Sequence, residues 1–255
     1  NKSSINDPFP CYFLKQCVDL LAPFLVFIFN LSLSTGCFPS SWKHAYVTPL
    51  LKKGNHDPLQ ASSYRPISKL PTLTKILERI VSSQLRTHNL STDLLPIHQS
   101  AYRQYHSTET ALLKVTTDIF RALDSGELCL FSFLDMSSAF DTVDGSLLLR
   151  KLNLSFGISD SALSWIHSLV CNRSMSGCAR SASSFPSSLD SGVPQGSVLG
   201  PLLFILYTAD IVKVAENHNL KLHIFADDAQ IYGSCLPSDS FALSSRMSAC
   251  LDDIL

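Results

Sequence analysis

The sequence predicts an α/β (α+β) fold, and three observations support that prediction. Apolar residues recur at three- and four-residue spacing in several long segments, which is typical of amphipathic helices. Shorter, continuous apolar runs lie between those segments and are typical of buried strands. Residues 221–232 hold two such runs around a short acidic turn, which predicts a β-hairpin. With 255 residues, 45% of them hydrophobic, the chain is long enough to bury a sizeable core.

The N-terminal third is predicted to contain a helix, a strand and a second helix. The first helix spans residues 9–36, and we expect its most apolar stretch, residues 20–29, to be buried because crossing a bilayer takes about 20 apolar residues. A strand follows at residues 45–51, where Pro49 indicates a sheet edge since proline has no amide hydrogen to donate. After a loop, a helix with an apolar stripe continues to about Leu85.

The middle of the chain is predicted to alternate between helices and a strand. Residues 107–110, Ser-Thr-Glu-Thr, supply capping groups for the start of a helix. The apolar run at 129–134 predicts a fully buried strand that ends at Asp135. Two amphipathic helices are expected between residues 145 and 170, with a break near Gly157.

The C-terminal third begins with a serine-rich segment at 171–191, which predicts a flexible hairpin or loop. Residues 192–196 form a turn that leads into an apolar helix from Val198 to about Val214. The hairpin at 221–232 comes next and carries two aspartates at its tip. Residues 241–255 start a further helix.

The eight cysteines show neither a Cys-x-x-Cys pair nor the spacing of zinc ligands. Several lie inside apolar runs, so they are predicted to be reduced, buried thiols of an intracellular protein. A disulfide framework is not expected at this size. The chain starts at Asn1 without an initiator methionine, which we interpret as a sign that it is part of a longer protein.

Charge is distributed unevenly, although the formal net charge is only −1. Basic and acidic residues number two each in residues 1–41, eleven against five in residues 42–121, and seven against fourteen in residues 122–255. This order fits an enzyme that binds a polyanion with cationic groups and a metal ion with carboxylates. Chance clustering of charged residues on solvated faces would give the same pattern. The choice between these two interpretations therefore depends on the sequence motifs.

Three aspartates are the first candidates for a divalent-metal site: Asp135, Asp227 and Asp228. Each follows an apolar run, where a carboxylate is costly unless a cation requires it. If the strand ending at Asp135 lies beside the hairpin, the carboxylates could hold two Mg²⁺ ions, which prefer oxygen ligands. Two alternatives stay open at this point, because paired aspartates often only solvate a turn and Asp135 could cap a following helix.

Five segments, taken in order, resemble the reverse transcriptases of non-LTR retrotransposons of the LINE type, in particular jockey-like elements. The resemblance covers nearly all of residues 7–255. The segments are Tyr-Arg-Pro-Ile-Ser at 64–68, Gln-Ser-Ala-Tyr-Arg at 99–103 with His-Ser-Thr-Glu-Thr at 106–110, Phe-Leu-Asp-Met-Ser-Ser-Ala-Phe-Asp at 133–141, Val-Pro-Gln-Gly-Ser-Val-Leu-Gly-Pro at 193–201 and Phe-Ala-Asp-Asp at 225–228.

The resemblance implies an RNA-directed DNA polymerase that transfers deoxynucleotides onto the 3′ end of a primer with two Mg²⁺ ions, or Mn²⁺ in their place. Asp135, Asp227 and Asp228 match the family's catalytic, metal-binding carboxylates. The implied partners are template RNA, a DNA primer and deoxynucleoside triphosphates, with no membrane and no indicated oligomeric state. The implied location is a cytoplasmic ribonucleoprotein and the nucleus.

The resemblance also implies five substrate-binding residues: Arg65, Arg103, Phe140, Gln195 and Gly196. The aromatic ring of Phe140 would exclude a 2′-hydroxyl, and the Gln195–Gly196 pair would pack against the incoming nucleotide and template. The two arginines would contact the triphosphate and template. Each has a plain structural alternative: a core phenylalanine, a turn before a helix, or exposed surface arginines.

The implied architecture is a right-hand polymerase whose fingers and palm are present and whose thumb is absent. Residues 1–41 would be an N-terminal helical extension, residues 42–127 the fingers, and residues 128–255 a palm truncated before the thumb. Ala-Tyr at 101–102 replaces the usual Gly-Phe, which makes the backbone there less permissive. Because the thumb and an upstream endonuclease are expected outside this segment, the segment alone is expected to be weak or inactive.

Two rival functions remain open from the sequence. A catalytically inactive or domesticated fragment would bind nucleic acid or a partner protein, and its RNA binding would depend steeply on salt without primer extension. A different metal-dependent phosphoryl enzyme, such as a nuclease, would use the same carboxylates without deoxynucleotides. The matches at Phe140 and Gln195 have no role in a nuclease.

Overall fold

The computed structural model describes residues 7, 10–52, 54, 56–91, 94–136, 139–179 and 182–254. The first residues of the predicted extension, 1–6, 8 and 9, and residues 137–138 of the segment after Asp135 lie outside this description. The helices are α1 (Cys11–Gln16), α2 (Val18–Thr35), α3 (Thr72–Ser91), α4 (Thr108–Asp124), α5 (Gly145–Phe156), α6 (Asp160–Val170), α7 (Gly200–Thr208), α8 (Ile211–Asn217) and α9 (Ser240–Ile254). The strands are β1 (His44–Leu51), β2 (Tyr64–Lys69), β3 (Leu128–Asp135), β4 (Arg173–Ala179), β5 (Ala182–Ser183), β6 (Ser187–Leu189), β7 (Lys221–Phe225) and β8 (Asp228–Cys235).

The chain divides into two compact units, each built from two separate stretches of sequence. The first unit comprises residues 1–91 and 140–203, and the second comprises residues 92–139 and 204–255. The predicted boundaries of extension, fingers and palm, at residues 42 and 128, are functional subdivisions and stay predictions.

The sheet of the first unit has the order β2-β1-β4-β5, with β6 also paired to β4. The prediction that Pro49 puts its strand at a sheet edge is wrong, because β1 lies between antiparallel β2 and parallel β4. Proline is tolerated there since the ladder to β4 covers only residues 44–47. Pro49 therefore lies in the part of β1 that pairs on one side only.

Helices α2, α5 and α6 pack in the first unit around an aromatic core. Trp165 of α6 is 1% exposed, donates its indole hydrogen to the Ser32 hydroxyl at 2.9 Å, and meets the Phe38 ring edge-on at 5.5 Å. The predicted break between α5 and α6 is confirmed, with Gly157 in left-handed geometry at φ +65°. Such a residue ends a helix at least cost when it is glycine.

The N-terminal helical segment differs from its prediction in two ways. It forms two helices, α1 and α2, rather than one, and in α2 only Phe29 and Ser32 are buried. The expected burial of residues 20–29 is therefore wrong for this structure, since several large side chains there are more than half exposed. They are Leu20, Phe24, Val26 and Phe27.

Among the described residues, α2 is the helix whose length and composition would allow it to cross a membrane. It has 18 residues with a mean hydropathy of 1.7, so the expectation that this stretch is too short is also wrong. A core helix or a signal sequence near an N-terminus has the same length and composition, which makes this weak evidence. The absence of a membrane partner stays a prediction.

The sheet of the second unit has the order β3-β8-β7. The predicted hairpin is confirmed as β7 and β8, and its apolar face packs against α8 and α9 around Leu222, Ile231, Leu243 and Met247. The predicted end of β3 at Asp135 is confirmed, but its predicted full burial is wrong. Among the described strands β3 pairs only with β8, and Phe133 is 74% exposed.

Three further predictions have mixed outcomes. For the segment 171–191, predicted as a hairpin or a loop, the hairpin is confirmed, because β4 pairs antiparallel with β5 and with β6. The helix expected from Val198 to Val214 is split into α7 and α8. All eight cysteines are free, as predicted, but only Cys178 and Cys250 are buried.

Candidate active site

Strand β3 brings Asp135 to the end of the sheet in the second unit. Its residues pair one to one with β8, from Leu128 opposite Cys235 to Asp135 opposite Asp228. Directly opposed residues of an antiparallel pair project from the same face, with Cβ atoms about 5 Å apart. The register therefore confirms that the strand ending at Asp135 lies beside the hairpin, and it brings two of the three predicted carboxylates together.

The third carboxylate lies in the hairpin turn. Phe225 pairs with Asp228, which leaves Ala226 and Asp227 as a two-residue loop. Ala226 has φ +58°, a conformation that costs energy for any residue with a Cβ atom. The amide of Met136 donates to the carbonyl of Asp227 at 3.3 Å, so the turn is tied to the residue that follows β3. Asp227 thus lies at the same end of the sheet as the opposed pair.

The electrostatics of the three carboxylates favour a bound cation. Burial raises the pKa of Asp228, and the negative charges of Asp227 and Asp135 raise it further. A divalent cation would relieve this repulsion, and carboxylate oxygens are the ligands that Mg²⁺ prefers. Within the described residues, no group of three or more His, Cys, Asp or Glu side chains is placed to hold a metal ion. The fit to Mg²⁺ is therefore one of ligand chemistry and charge, without a preformed cluster.

A buried charge network fixes α4 to the strands that carry the aspartates. Asp118 of α4 is 8% exposed and accepts hydrogen bonds from Lys114 at 2.6 Å and from the Tyr232 hydroxyl at 2.8 Å. The Lys221 ammonium lies 3.5 Å from the same carboxylate oxygen. Burial alone would raise the pKa of Asp118, but these donors outweigh it and lower the pKa to about 2. Sequence reasoning missed this residue because its only sequence signal is an acid on the apolar side of a helix.

Replacing Tyr232 with Phe should lower the free energy of unfolding by about 2 kcal/mol, since a hydrogen bond to a buried charge is lost. Because the pKa of folded Asp118 lies below its unfolded value, its contribution is complete above about pH 4 and is lost as the pH falls towards 2. The deficit of the variant should therefore be largest at pH 7 and smaller at pH 3. Urea unfolding at both pH values measures it, with Tyr105→Phe, at a 90% exposed site, as the matched control. Equal midpoints for Tyr232→Phe and wild type at pH 7 would contradict the assignment.

The segment at residues 98–100 attaches to β7 as a short parallel bridge. The amide of Ser100 donates to the carbonyl oxygen of Ile224 at 3.0 Å, and the amide of Ile224 donates to the carbonyl oxygen of His98 at 2.9 Å. The Ser100 hydroxyl lies 3.0 Å from Nε2 of His223, which is 5% exposed. Burial and the neighbouring His98 lower the pKa of His223 to about 4, so His223 is neutral at physiological pH. The bridge fixes the start of the predicted motif at 99–103 to the strand that leads into the aspartate turn.

Arg103 does not project freely from this motif. Its Nη1 donates to the carbonyls of Pro96, Ile97 and Gln99, at 3.0, 3.4 and 3.3 Å. The guanidinium group therefore stabilises the loop to which Arg103 itself belongs. Its contact with a triphosphate stays a prediction. The preceding Tyr102 has φ +57°, a costly conformation for a residue with a Cβ atom, whereas Ala101, which stands where glycine is usual, does not have a positive φ. Burial and the charge of Asp227 raise the pKa of the Tyr102 hydroxyl.

Phe140 belongs to the first unit, where its backbone holds the loop at 191–193. The amide of Val193 donates to the Phe140 carbonyl at 2.7 Å, and the Ser191 hydroxyl donates to the Asp141 carbonyl at 3.1 Å. Gly192 has φ +85°, and a Cβ atom there would lie 2.9 Å from backbone atoms of both Phe140 and Asp141. The structure thus joins the predicted sugar-contacting residue to the start of the predicted nucleotide-binding segment.

Gln195 and Gly196 lie against β2, the strand that carries Arg65. The Ser68 amide donates to the Gln195 carbonyl at 2.8 Å. Gly196 has φ +117°, and a Cβ atom there would lie 2.6 Å from the Ser68 carbonyl oxygen. Among the described atoms Gln195 Oε1 is buried without a hydrogen-bond donor, while Arg65 is exposed. The segments at 64–68 and 193–196, predicted separately from their sequences, are therefore in contact.

A family model described as "Reverse transcriptase (RNA-dependent DNA polymerase)" matches residues 50–253. The chain belongs to the reverse transcriptase family. That match covers every segment on which the predicted resemblance rests, from Tyr64 to Asp228. The prediction of a reverse transcriptase domain is confirmed.

Relatives of this reverse transcriptase domain are found in mobile elements of flies. It is 35% identical over 217 residues to the "Probable RNA-directed DNA polymerase from transposon BS" of Drosophila melanogaster, a match that covers 83% of this chain and 24% of the relative. It is 34% identical over 234 residues to the "RNA-directed DNA polymerase from mobile element jockey" of Drosophila funebris, covering 89% of this chain and 25% of the relative. The chain thus spans about a quarter of the length of these curated relatives, and the predicted jockey-like kinship is confirmed.

A solved structure shares the fold of this reverse transcriptase domain. It is the apo telomerase of Candida tropicalis truncated from its C-terminal domain, with a TM-score of 0.57 and 14% sequence identity. The likeness covers 82% of this chain and 47% of the telomerase chain. At this identity it shows the fold alone, and it confirms the predicted right-hand polymerase fold.

Proposed function

We propose that this domain, within its complete protein, synthesises DNA on an RNA template at the three aspartates. The observation that carries the proposal is the register of β3 with β8, which pairs Asp135 with Asp228 beside the Asp227 turn. Membership of the reverse transcriptase family supports RNA-directed DNA synthesis as the reaction. The names of the Drosophila relatives support the same reaction.

The chemistry proposed is attack of the primer 3′-oxygen on the α-phosphate of a deoxynucleotide, with pyrophosphate as the leaving group. Two Mg²⁺ ions, or Mn²⁺ ions, held by Asp135, Asp227 and Asp228 would lower the pKa of the 3′-hydroxyl and neutralise charge on the phosphate. On this proposal the reaction takes place at the end of the sheet that carries the three carboxylates. The β-ladder and the Met136 hydrogen bond tie together the backbone segments that carry these carboxylates, which supports this proposal.

The substrate-binding part of the proposal rests on the first unit. The exposed Arg65 guanidinium suits phosphate oxygens, since its donors form a fixed fork. Gly196 allows backbone to approach closely where a side chain would not fit. Gln195 Oε1 is buried and has no donor among the residues that the structure describes, so it would be available to accept a hydrogen bond from nucleotide or template, which supports the binding role of this residue.

The full-length protein should extend a DNA primer on an RNA template in Mg²⁺ with all four deoxynucleotides. Products are read on a denaturing gel beside a second reaction that contains Mg²⁺ and unprimed RNA without deoxynucleotides. Extension in the first and intact RNA in the second is the expected result. Shortened RNA in the second reaction would indicate a nuclease, and RNA binding without extension would indicate an inactive binding fragment.

Phe140→Ala should reduce discrimination against ribonucleotides, because a bulky ring rejects a 2′-hydroxyl by collision. We expect the ratio of kcat/KM values for deoxynucleotide over ribonucleotide to fall by at least about tenfold, mainly through faster ribonucleotide addition. Single-nucleotide incorporation by the full-length protein measures the ratio. Phe185→Ala, at a 94% exposed position in the same unit, is the matched control. If this ratio is unchanged in Phe140→Ala, the Phe140 ring contributes to packing and does not discriminate against ribonucleotides.

A further inference from the structure

A buried carboxylate anchors the loop that bears Gln195 and Gly196. Glu78 of α3 is 0% exposed, and no motif in the sequence singles it out. Its Oε2 accepts hydrogen bonds from the Ser197 hydroxyl at 2.9 Å, the Val198 amide at 2.6 Å and the Leu199 amide at 3.4 Å. One oxygen of Glu78 therefore fixes three consecutive residues of the segment at 193–201.

The hydrogen bonds around Ser197 also determine which way its hydroxyl points. A carboxylate can only accept, so Ser197 must donate to Glu78. The Ser197 oxygen is then left to accept from the amides of Leu199 and Gly200, at 3.1 and 3.0 Å. Those amides precede or begin α7, where a helix has no internal acceptors for its first N–H groups. Glu78 and Ser197 together cap the start of α7.

The same loop is held at its other end by β2. The Ser68 amide binds the Gln195 carbonyl, and Gly196 packs directly against the Ser68 carbonyl. Gln195 and Gly196 are thus fixed between two anchors, β2 on one side and Glu78 on the other. Loss of the Glu78 anchor would free the loop at the residue that follows Gly196.

Burying this carboxylate is costly, so its presence at this buried position indicates a specific role. Burial raises the pKa of Glu78, while the donors from Val198, Ser197 and Leu199 oppose the rise. Arg173 contributes a favourable charge interaction and is itself 3% exposed. A neutral serine or asparagine caps a helix without this cost. The carboxylate is distinguished from them by accepting several strong hydrogen bonds at one oxygen.

We propose that Glu78 is a positioning residue for nucleotide binding: through Ser197, Val198 and Leu199 it holds Gln195 and Gly196 in their binding geometry. The inference rests on the proposed function, because Gln195 and Gly196 are assigned to the nucleotide there. Glu78 touches neither nucleotide nor metal in this role and acts only through the loop.

The test measures KM for deoxynucleotide and kcat in the full-length protein, with template–primer affinity measured separately. Glu78→Gln keeps an acceptor oxygen but removes the charge, and it should raise the KM about fivefold with little change in kcat or in template–primer affinity. Ser197→Ala removes the hydroxyl that donates to Glu78 and should also raise the KM for deoxynucleotide. Glu216→Gln, at an exposed site in α8 outside the five segments, is the matched control and should match wild type.

A double-mutant cycle separates positioning from simple stabilisation. If Glu78 acts through Gln195, adding Glu78→Gln to Gln195→Ala should change the KM by less than about twofold, because the group being positioned is already gone. Equal fold-changes in both backgrounds, or an unchanged KM in Glu78→Gln, would overturn the proposal while leaving the proposed function intact. Absence of extension by wild type would instead overturn the proposed function, and the positioning role with it.

Discussion

Asp227→Ala should reduce nucleotide incorporation by the full-length protein by about a thousandfold or more, because a ligand to the reacting centre is lost. Template affinity should stay within about twofold of wild type, since Asp227 lies in a two-residue turn and makes no cationic contribution to nucleic-acid binding. Single-nucleotide incorporation and equilibrium binding of labelled primer–template measure the two quantities.

The matched control is Asp252→Ala, an exposed acid on α9, which should incorporate at the wild-type rate. Removing Asp227 also removes one of the charges that raise the pKa of Asp228, so structural collapse of the turn is not expected. Primer extension by Asp227→Ala at the wild-type rate would contradict the assignment of this turn to catalysis.

Gly196→Ala should lower the free energy of unfolding by about 3 kcal/mol and abolish nucleotide binding. Two effects combine here: a positive φ of +117° that strains any residue with a Cβ atom, and a Cβ position 2.6 Å from the Ser68 carbonyl oxygen. Because that oxygen is backbone, β2 and the loop must separate. Thermal or urea unfolding measures the loss of stability, and deoxynucleotide KM measures the loss of binding.

Gly157→Ala is the control that separates the cost of backbone strain at a positive φ from the cost of a steric clash at the new Cβ atom. Gly157 also has a positive φ, +65°, but a Cβ atom there would meet no atom within 4 Å. Gly157→Ala should lower the free energy of unfolding by only about 1 kcal/mol and leave nucleotide binding intact. If both variants lose the same stability, the contact between Gly196 and Ser68 contributes nothing beyond backbone strain.

The sequence predicted the strand end at Asp135 and the hairpin that bears Asp227 and Asp228, because the signals for these elements are local. The pairing of β3 with the hairpin was only a supposition at the level of sequence, and the register of β3 with β8 is what shows it. A resemblance spanning five segments then supplied the family, which the match over residues 50–253 confirmed. Burial of β3 was wrong because a continuous apolar run does not reveal how many neighbours its strand has.

The buried acids that anchor the segments bearing the candidate residues could not be predicted from the sequence. Glu78 and Asp118 stand in amphipathic helices, where an acid normally marks a solvated face. Their partners, Ser197 and Tyr232, are more than a hundred residues away in sequence. Only the packing of α3 and α4 shows that both acids point inward. For the same reason the exposure of α2 was missed, since an apolar composition does not show what a helix packs against.

The most direct test of this account is a double-mutant cycle that joins the two aspartate segments. Asp135→Asn and Asp228→Asn are made singly and together in the full-length protein, and single deoxynucleotide incorporation is measured on a primed RNA template in Mg²⁺. If β3 and the hairpin form one catalytic centre, each single variant loses nearly all activity and the double variant is no worse than either. Incorporation by Asp135→Asn at the wild-type rate, or losses that simply multiply in the double variant, would contradict a shared site.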